Sequence, residues 1–134
     1  MKIKVLQFVG VFAFGLSLAS PVLAQPANLA VEFENTPLFA EANFLPGSEI
    51  TRFVKVQNNT ASSQQITVEA IQASDPDGFG DILEIEIREG AVLLFSDTLS
   101  GFFAAGEVNL SQLSGNGAEA QYDFSVLFPD TAND

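Results

Sequence analysis

The chain of 134 residues has no cysteine, no histidine and no tryptophan, and sets only five basic residues against 17 carboxylates. Without cysteine there is no disulfide framework, so packing and backbone pairing must hold the fold. Without histidine the commonest general base and the commonest zinc ligand are missing, and with them every serine or cysteine triad built on imidazole. Glycine-rich phosphate loops of the Walker or dinucleotide type are absent too. Two of the bases, Lys2 and Lys4, stand at the start, and beyond residue 24 only Arg52, Lys55 and Arg88 remain. Three bases against 17 carboxylates give that part a net charge of −14. A field of this sign repels phosphate backbones and anionic headgroups, which argues against nucleic acid and against a membrane surface as partners.

The first 24 residues have the three parts of a secretory signal peptide: the positive Lys2 and Lys4, an apolar run over residues 5–18, and the small-x-small site Val22-Leu23-Ala24. The run is shorter than the ~20 residues that span a bilayer, and Pro21 and Pro26 lie close behind it. The expectation is an exported protein, extracellular or at the cell surface, that starts at Gln25 and keeps no membrane anchor after cleavage. Its 110 residues make one domain, enough to bury roughly two thirds of the unfolded chain's surface.

Within that domain apolar residues alternate in short runs. Leu29, Val31 and Phe33 share one face; Ile50, Val54 and Val56 line up around Arg52, with Phe53 opposite; Ile66, Val68 and Ala70 oppose Thr67, Glu69 and Ile71. The cleanest case is Leu83, Ile85 and Ile87 against Glu84, Glu86 and Arg88, after which Glu89-Gly90 turns the chain into residues 91–95. Near the end Tyr122, Phe124, Val126 and Phe128 alternate with Asp123, Ser125 and Leu127. Turn residues separate the runs at 45–48, 58–63, 75–81 and 114–117. Residues 98–105 contain Gly101 and predict one helical turn at most. Six or seven short strands predict an all-β fold, an antiparallel β-sandwich of jelly-roll or Ig-like type. The 13 phenylalanines then fill the space between two sheets; the adjacent Phe102 and Phe103 cannot both face inward on a strand.

Two acidic groups are the chemical candidates. Glu84 and Glu86 could form a glycosidase pair, but on a strand they share the face turned away from Ile85 and Ile87, where nothing separates their pKa values; no catalytic residue is assigned, and the chain is read as a non-enzyme. The stretch SDPDGFGD is the better candidate for a hard cation, with Asp75, Asp77 and Asp81 offering carboxylates from a loop that Gly78 and Gly80 let fold back. Its spacing departs from the EF-hand: counted from Asp75, the fifth residue is Phe79 and the twelfth, Glu86, lies on a strand. The competing reading is a turn in which aspartates accept local backbone N–H groups. The chemistry therefore leaves no cofactor other than a calcium ion held by these three aspartates, as in a calcium-binding surface adhesion module.

In order, the segments LPGSEITRFVKVQNNTASSQQITVEA, DPDGFGDILEIEIREGAVLLFSDTLSGFF and VNLSQLSGNGAEAQYDFSVLFPDTAND resemble the TasA/camelysin family of secreted biofilm-matrix proteins. The matching signs are a proline-glycine turn before a strand ending KVQNN, an acidic stretch leading to a Leu-x-Ile-x-Ile strand, the LFSDTL segment and an aromatic strand ending in Phe-Pro. The resemblance covers roughly residues 43–133. It implies a jelly-roll-like sandwich that assembles into extracellular fibres, with itself or with another matrix protein, by donating a strand from one subunit to the sheet of the next. Residues 25–42 are the expected donor segment and 43–134 the sandwich. A metallopeptidase label carried by some members finds no motif here. Family members continue past the Phe-Pro strand, so the expectation is a C-terminally truncated record or a sandwich short of its last strand.

Overall fold

The computed structural model describes residues 2–11, 15–19, 29–75 and 77–130. The expected cleavage site, residues 22–24, the start of the expected donor segment and residues 131–134 lie outside them. The fold is all-β, as the alternation predicts. One sheet of five strands runs in the order β3 (Leu29–Phe33), β4 (Glu49–Asn58), β9 (Ala118–Leu127), β6 (Glu84–Glu89) and β7 (Val92–Thr98), every neighbour antiparallel. The other sheet contains β2 (Gly15–Ala19), β1 (Lys2–Val11), β5 (Gln64–Ser74) and β8 (Glu107–Leu113). Its pairs are antiparallel except β1 on β5, which is parallel. Residues 2–11 and 15–19 of the segment read as a leader are therefore strand here, and without them β5 has β8 as its one ladder partner among the described residues.

The alternating residues pack as their period dictates. Val54 and Val56 of β4, Ile85 and Ile87 of β6, and Tyr122, Phe124 and Val126 of β9 are buried and face Ile66 and Val68 of β5 and Val108 and Leu110 of β8. The strand β8 is not among those read from the sequence. Val108 and Leu110 alternate, but a bulge against β5 between Ile66 and Thr67 shifts the next buried residue to Leu113 and breaks the period of two. Leu38 and Phe39 join the core from the irregular stretch between β3 and β4, where no periodicity marks them.

The predicted single helical turn is longer in the structure, a seven-residue helix α1 (Leu99–Ala105). Thr98 caps it, its Oγ1 accepting from Gly101 N at 3.1 Å, and Leu99 and Phe102, three apart, bury one face. Burial of that face outweighs the cost of Gly101, where a Cβ would overlap the Asp97 carboxylate. On a helix the adjacent rings also separate: Phe102 lies in the core beside Phe95, centroids 5.4 Å apart, and Phe103 packs half-buried at its margin.

At one end the two sheets are joined by Asn58, a fully buried amide. Its Nδ2 donates to the carbonyls of Leu113 and Ser62, both at 3.0 Å. Its Oδ1 accepts from Thr60 N at 3.0 Å and Thr60 Oγ1 at 2.6 Å. Gly115 lies so close beneath the same loop that a Cβ would sit 2.6 Å from Thr60 O. Asn58→Ala strands the buried Leu113 carbonyl and frees the Thr60 and Ser62 groups at the rim, lowering unfolding free energy by about 1–3 kcal/mol, read as a shifted denaturant midpoint with the same slope.

Candidate functional site

The acidic loop is closed by its own backbone. Asp75 Oδ1 accepts from Phe79 N at 3.0 Å and its Oδ2 from Gly80 N at 2.5 Å. Gly78 takes φ 73°, in the left-handed region where a side chain would be strained, and its N–H donates to the Asp75 carbonyl at 3.4 Å. Phe79–Asp81 then form a single 3-10 turn, after which Ile82 N and Leu83 N both donate to Phe79 O, at 3.0 and 2.9 Å. Gly80 is buried where a Cβ would come within 2.6 Å of both Asp75 Oδ2 and Ser100 Oγ, so the loop packs on α1.

Of the three aspartates, only Asp75 turns into the loop; Asp77 and Asp81 are exposed. Among the described residues no group of three or more acidic side chains is arranged to hold an ion. The geometry is that of the turn in which a carboxylate accepts local N–H groups. Glu84 and Glu86 lie on the outer face of β6, away from the buried Ile85 and Ile87, and Glu86 pairs with Arg88 at 3.1 Å.

Inside the sandwich the phenol of Tyr122 on β9 meets Ser111 Oγ of β8 at 2.7 Å, a second polar tie between the sheets. Burial pushes its pKa above the ordinary 10.0, the Ser111 hydrogen bond partly opposes this, and the charge of Glu89 adds to it.

The same loop builds the end of the molecule opposite Asn58. Phe128 follows β9; Phe44 stacks on it with centroids 6.2 Å apart, and Phe79 meets it edge-on at 6.4 Å. The turn at residues 45–48 is pinned alongside, Gly47 N donating to Phe128 O at 2.6 Å and Phe128 N to Ser48 O at 2.9 Å. Leu45, the neighbour of Phe44, and Ile82, three residues after Phe79, are 62% and 40% exposed. The sequence reading missed this cluster because its rings come from three separated segments. A phenylalanine inside a loop of aspartates, at position 79, is the one signal that points to it.

The expected donor segment enters the described residues at Leu29. Leu29–Phe33 is the edge strand β3, paired antiparallel with β4 from Leu29 opposite Asn58 to Phe33 opposite Val54. Beyond it Arg52 is held by Glu34 at 3.4 Å and Glu41 at 3.3 Å.

No protein-family model, curated protein or solved structure matches the chain.

Two outcomes are expected. Asp75→Ala frees Phe79 N and Gly80 N and lowers stability by about 1–2 kcal/mol in denaturant titrations, while calorimetric titration of the wild type with calcium gives no saturable heat up to millimolar concentrations. Tyr122 is the only tyrosine and there is no tryptophan, so near-ultraviolet phenolate absorbance reports it alone. With the folded pKa raised, the stability that the neutral phenol contributes is complete below the unfolded value of 10.0 and is lost as pH climbs from there through the folded pKa. Absorbance is therefore expected to rise at higher pH in the native protein than in urea, and the alkaline loss of stability to shrink in Tyr122→Phe.

Proposed function

We propose that this chain is an exported structural subunit of an extracellular matrix, built to assemble into fibres by passing a strand from one copy to the sheet of the next. The observation that carries the reading is the position of β3. It lies at the edge of the five-stranded sheet, joined to the body by one ladder on β4 and followed by the irregular stretch of residues 34–48. A strand so placed can leave its own β4 and pair with the β4 of a neighbour, regaining the same main-chain hydrogen bonds and the same burial of Leu29.

The chemistry of the side chains agrees with a non-catalytic role. The chain has no imidazole or thiol, and the glutamates at 84 and 86 sit on a solvent-facing sheet surface. The resemblance of residues 43–133 to the TasA/camelysin family of biofilm-matrix proteins points the same way. The leader-like first 24 residues suit a protein that works outside the cell.

Deleting residues 25–34 from the secreted form tests the reading. Electron microscopy is expected to show fibres for the intact secreted chain and none for the deletion, which stays soluble and monomeric by light scattering. Undiminished fibres in the deletion would remove the strand from any part in assembly.

A further inference from the structure

The surface opposite Asn58 combines two features, exposed apolar side chains and charge of one sign. The first is apolar: Leu45, next to Phe44, and Ile82, three residues after Phe79, stand exposed, and Phe44 and Phe79 both pack on Phe128, one stacked and one edge-on. These rings are fixed from beneath by backbone bonds at Gly47, Phe128, Ile82 and Leu83, so the patch is a built surface and not a few loose side chains.

The second feature is charge of one sign. Asp77 and Asp81, both exposed, lie on either side of Phe79 in the loop, and Asp81 directly precedes Ile82. On the other flank the Asp130 carboxylate lies against Gly47, beside Leu45. Behind them Glu49 of β4 and Glu84 of β6 both stand opposite Leu127 of β9, so the last row of the sheet reads carboxylate, leucine, carboxylate. No lysine or arginine occurs in residues 41–51, 74–87 or 123–130, the segments that build this end. Arg52, next along the chain, is already held by Glu34 and Glu41.

We propose that this end of the sandwich is a docking face for a cationic polypeptide segment that also carries apolar side chains. Leu45 and Ile82, backed by the three rings, receive the apolar side chains; Asp77, Asp81, Asp130 and the Glu49–Glu84 row receive the charges. Charge selects the occupant. A second copy offering the same end would set carboxylates against carboxylates, and nucleic acid or an anionic bilayer would be repelled. A basic segment gains at every rim position and desolvates the patch as it binds. This face is separate from the β3 edge and does not depend on fibre formation.

The test is residue-resolved nuclear magnetic resonance on the secreted form with three synthetic peptides of equal length: lysine alternating with leucine, lysine alone, and glutamate alternating with leucine. The lysine-leucine peptide is expected to shift the amides around Leu45, Phe79, Ile82 and Phe128, to bind about tenfold or more tightly than lysine alone, and to weaken as salt is raised; the glutamate peptide should not bind. Leu45→Ser with Ile82→Ser changes two exposed positions, and retained folding is checked by the buried Tyr122 signal; the pair should weaken the lysine-leucine peptide about tenfold. Asp77→Asn with Asp81→Asn should weaken both lysine peptides and flatten the salt dependence. Equal binding of the two lysine peptides, shifts scattered over the whole acidic surface, or concentration-dependent shifts at this end without any peptide would each overturn the proposal. So would a Leu45→Ser, Ile82→Ser protein that is folded and binds as before.

Discussion

A single buried amide decides how the two sheets stand to each other. Asn58 is the last residue of β4, in the five-stranded sheet, and it reaches the carbonyl of Leu113, the last residue of β8, in the opposing one. Its remaining hydrogen-bonding capacity closes the loop that carries the chain from β4 to β5. Its backbone carbonyl accepts from Gly117 N, which sets the turn between β8 and β9. These two connections thus converge on one residue. In a domain without disulfides such a network fixes what apolar packing alone leaves loose, because hydrophobic burial is non-directional and a buried amide tolerates only the arrangement that satisfies it. Tyr122 repeats the device deeper in the sandwich by meeting Ser111 across the sheets.

With that end locked, the opposite end is free to carry loops. The turn at residues 45–48, the acidic loop and the residues after β9 meet there, and Phe44, Phe79 and Phe128 fill the space between them. Asp75 belongs to this arrangement: by accepting two backbone N–H groups it orders the loop that delivers Phe79. In this stretch of aspartates the carboxylate of Asp75 thus serves the geometry of a turn, which positions the ring of Phe79.

What the sequence revealed follows from periodicity. Wherever alternation is unbroken, as in Ile85 and Ile87 or Tyr122, Phe124 and Val126, strand and inward face are both legible. Legibility fails where tertiary structure interrupts the period. The bulge in β8 moves Leu113 out of step with Val108 and Leu110, and Leu38 and Phe39 fill the core from a stretch with no repeating conformation. Gly101 suggests a break, yet its missing Cβ is what lets Asp97 lie against the helix that Thr98 caps. At the site, the local role of Asp75 was legible because an aspartate before two glycines has a known turn chemistry. The aromatic end was not, since its three rings are far apart in the chain and only the fold joins them.

The charge balance constrains what such a protein can associate with. The part beyond residue 24, with three bases and 17 carboxylates, repels its own copies over distances of about a Debye length, roughly 8 Å at physiological salt. Side-chain attraction between like surfaces is therefore a poor basis for self-assembly. A joint between copies, as proposed above, would rest on short-range forces, which a strand crossing from one sheet to the next would supply: ladder hydrogen bonds are made inside the fold, and the apolar face of the strand is buried where carboxylates are not. The uncompensated surface then remains available to partners of the other sign. In the proposed division of labour, backbone pairing would join like to like and the acidic end would select what is unlike, so that one small domain would make two kinds of contact that do not compete.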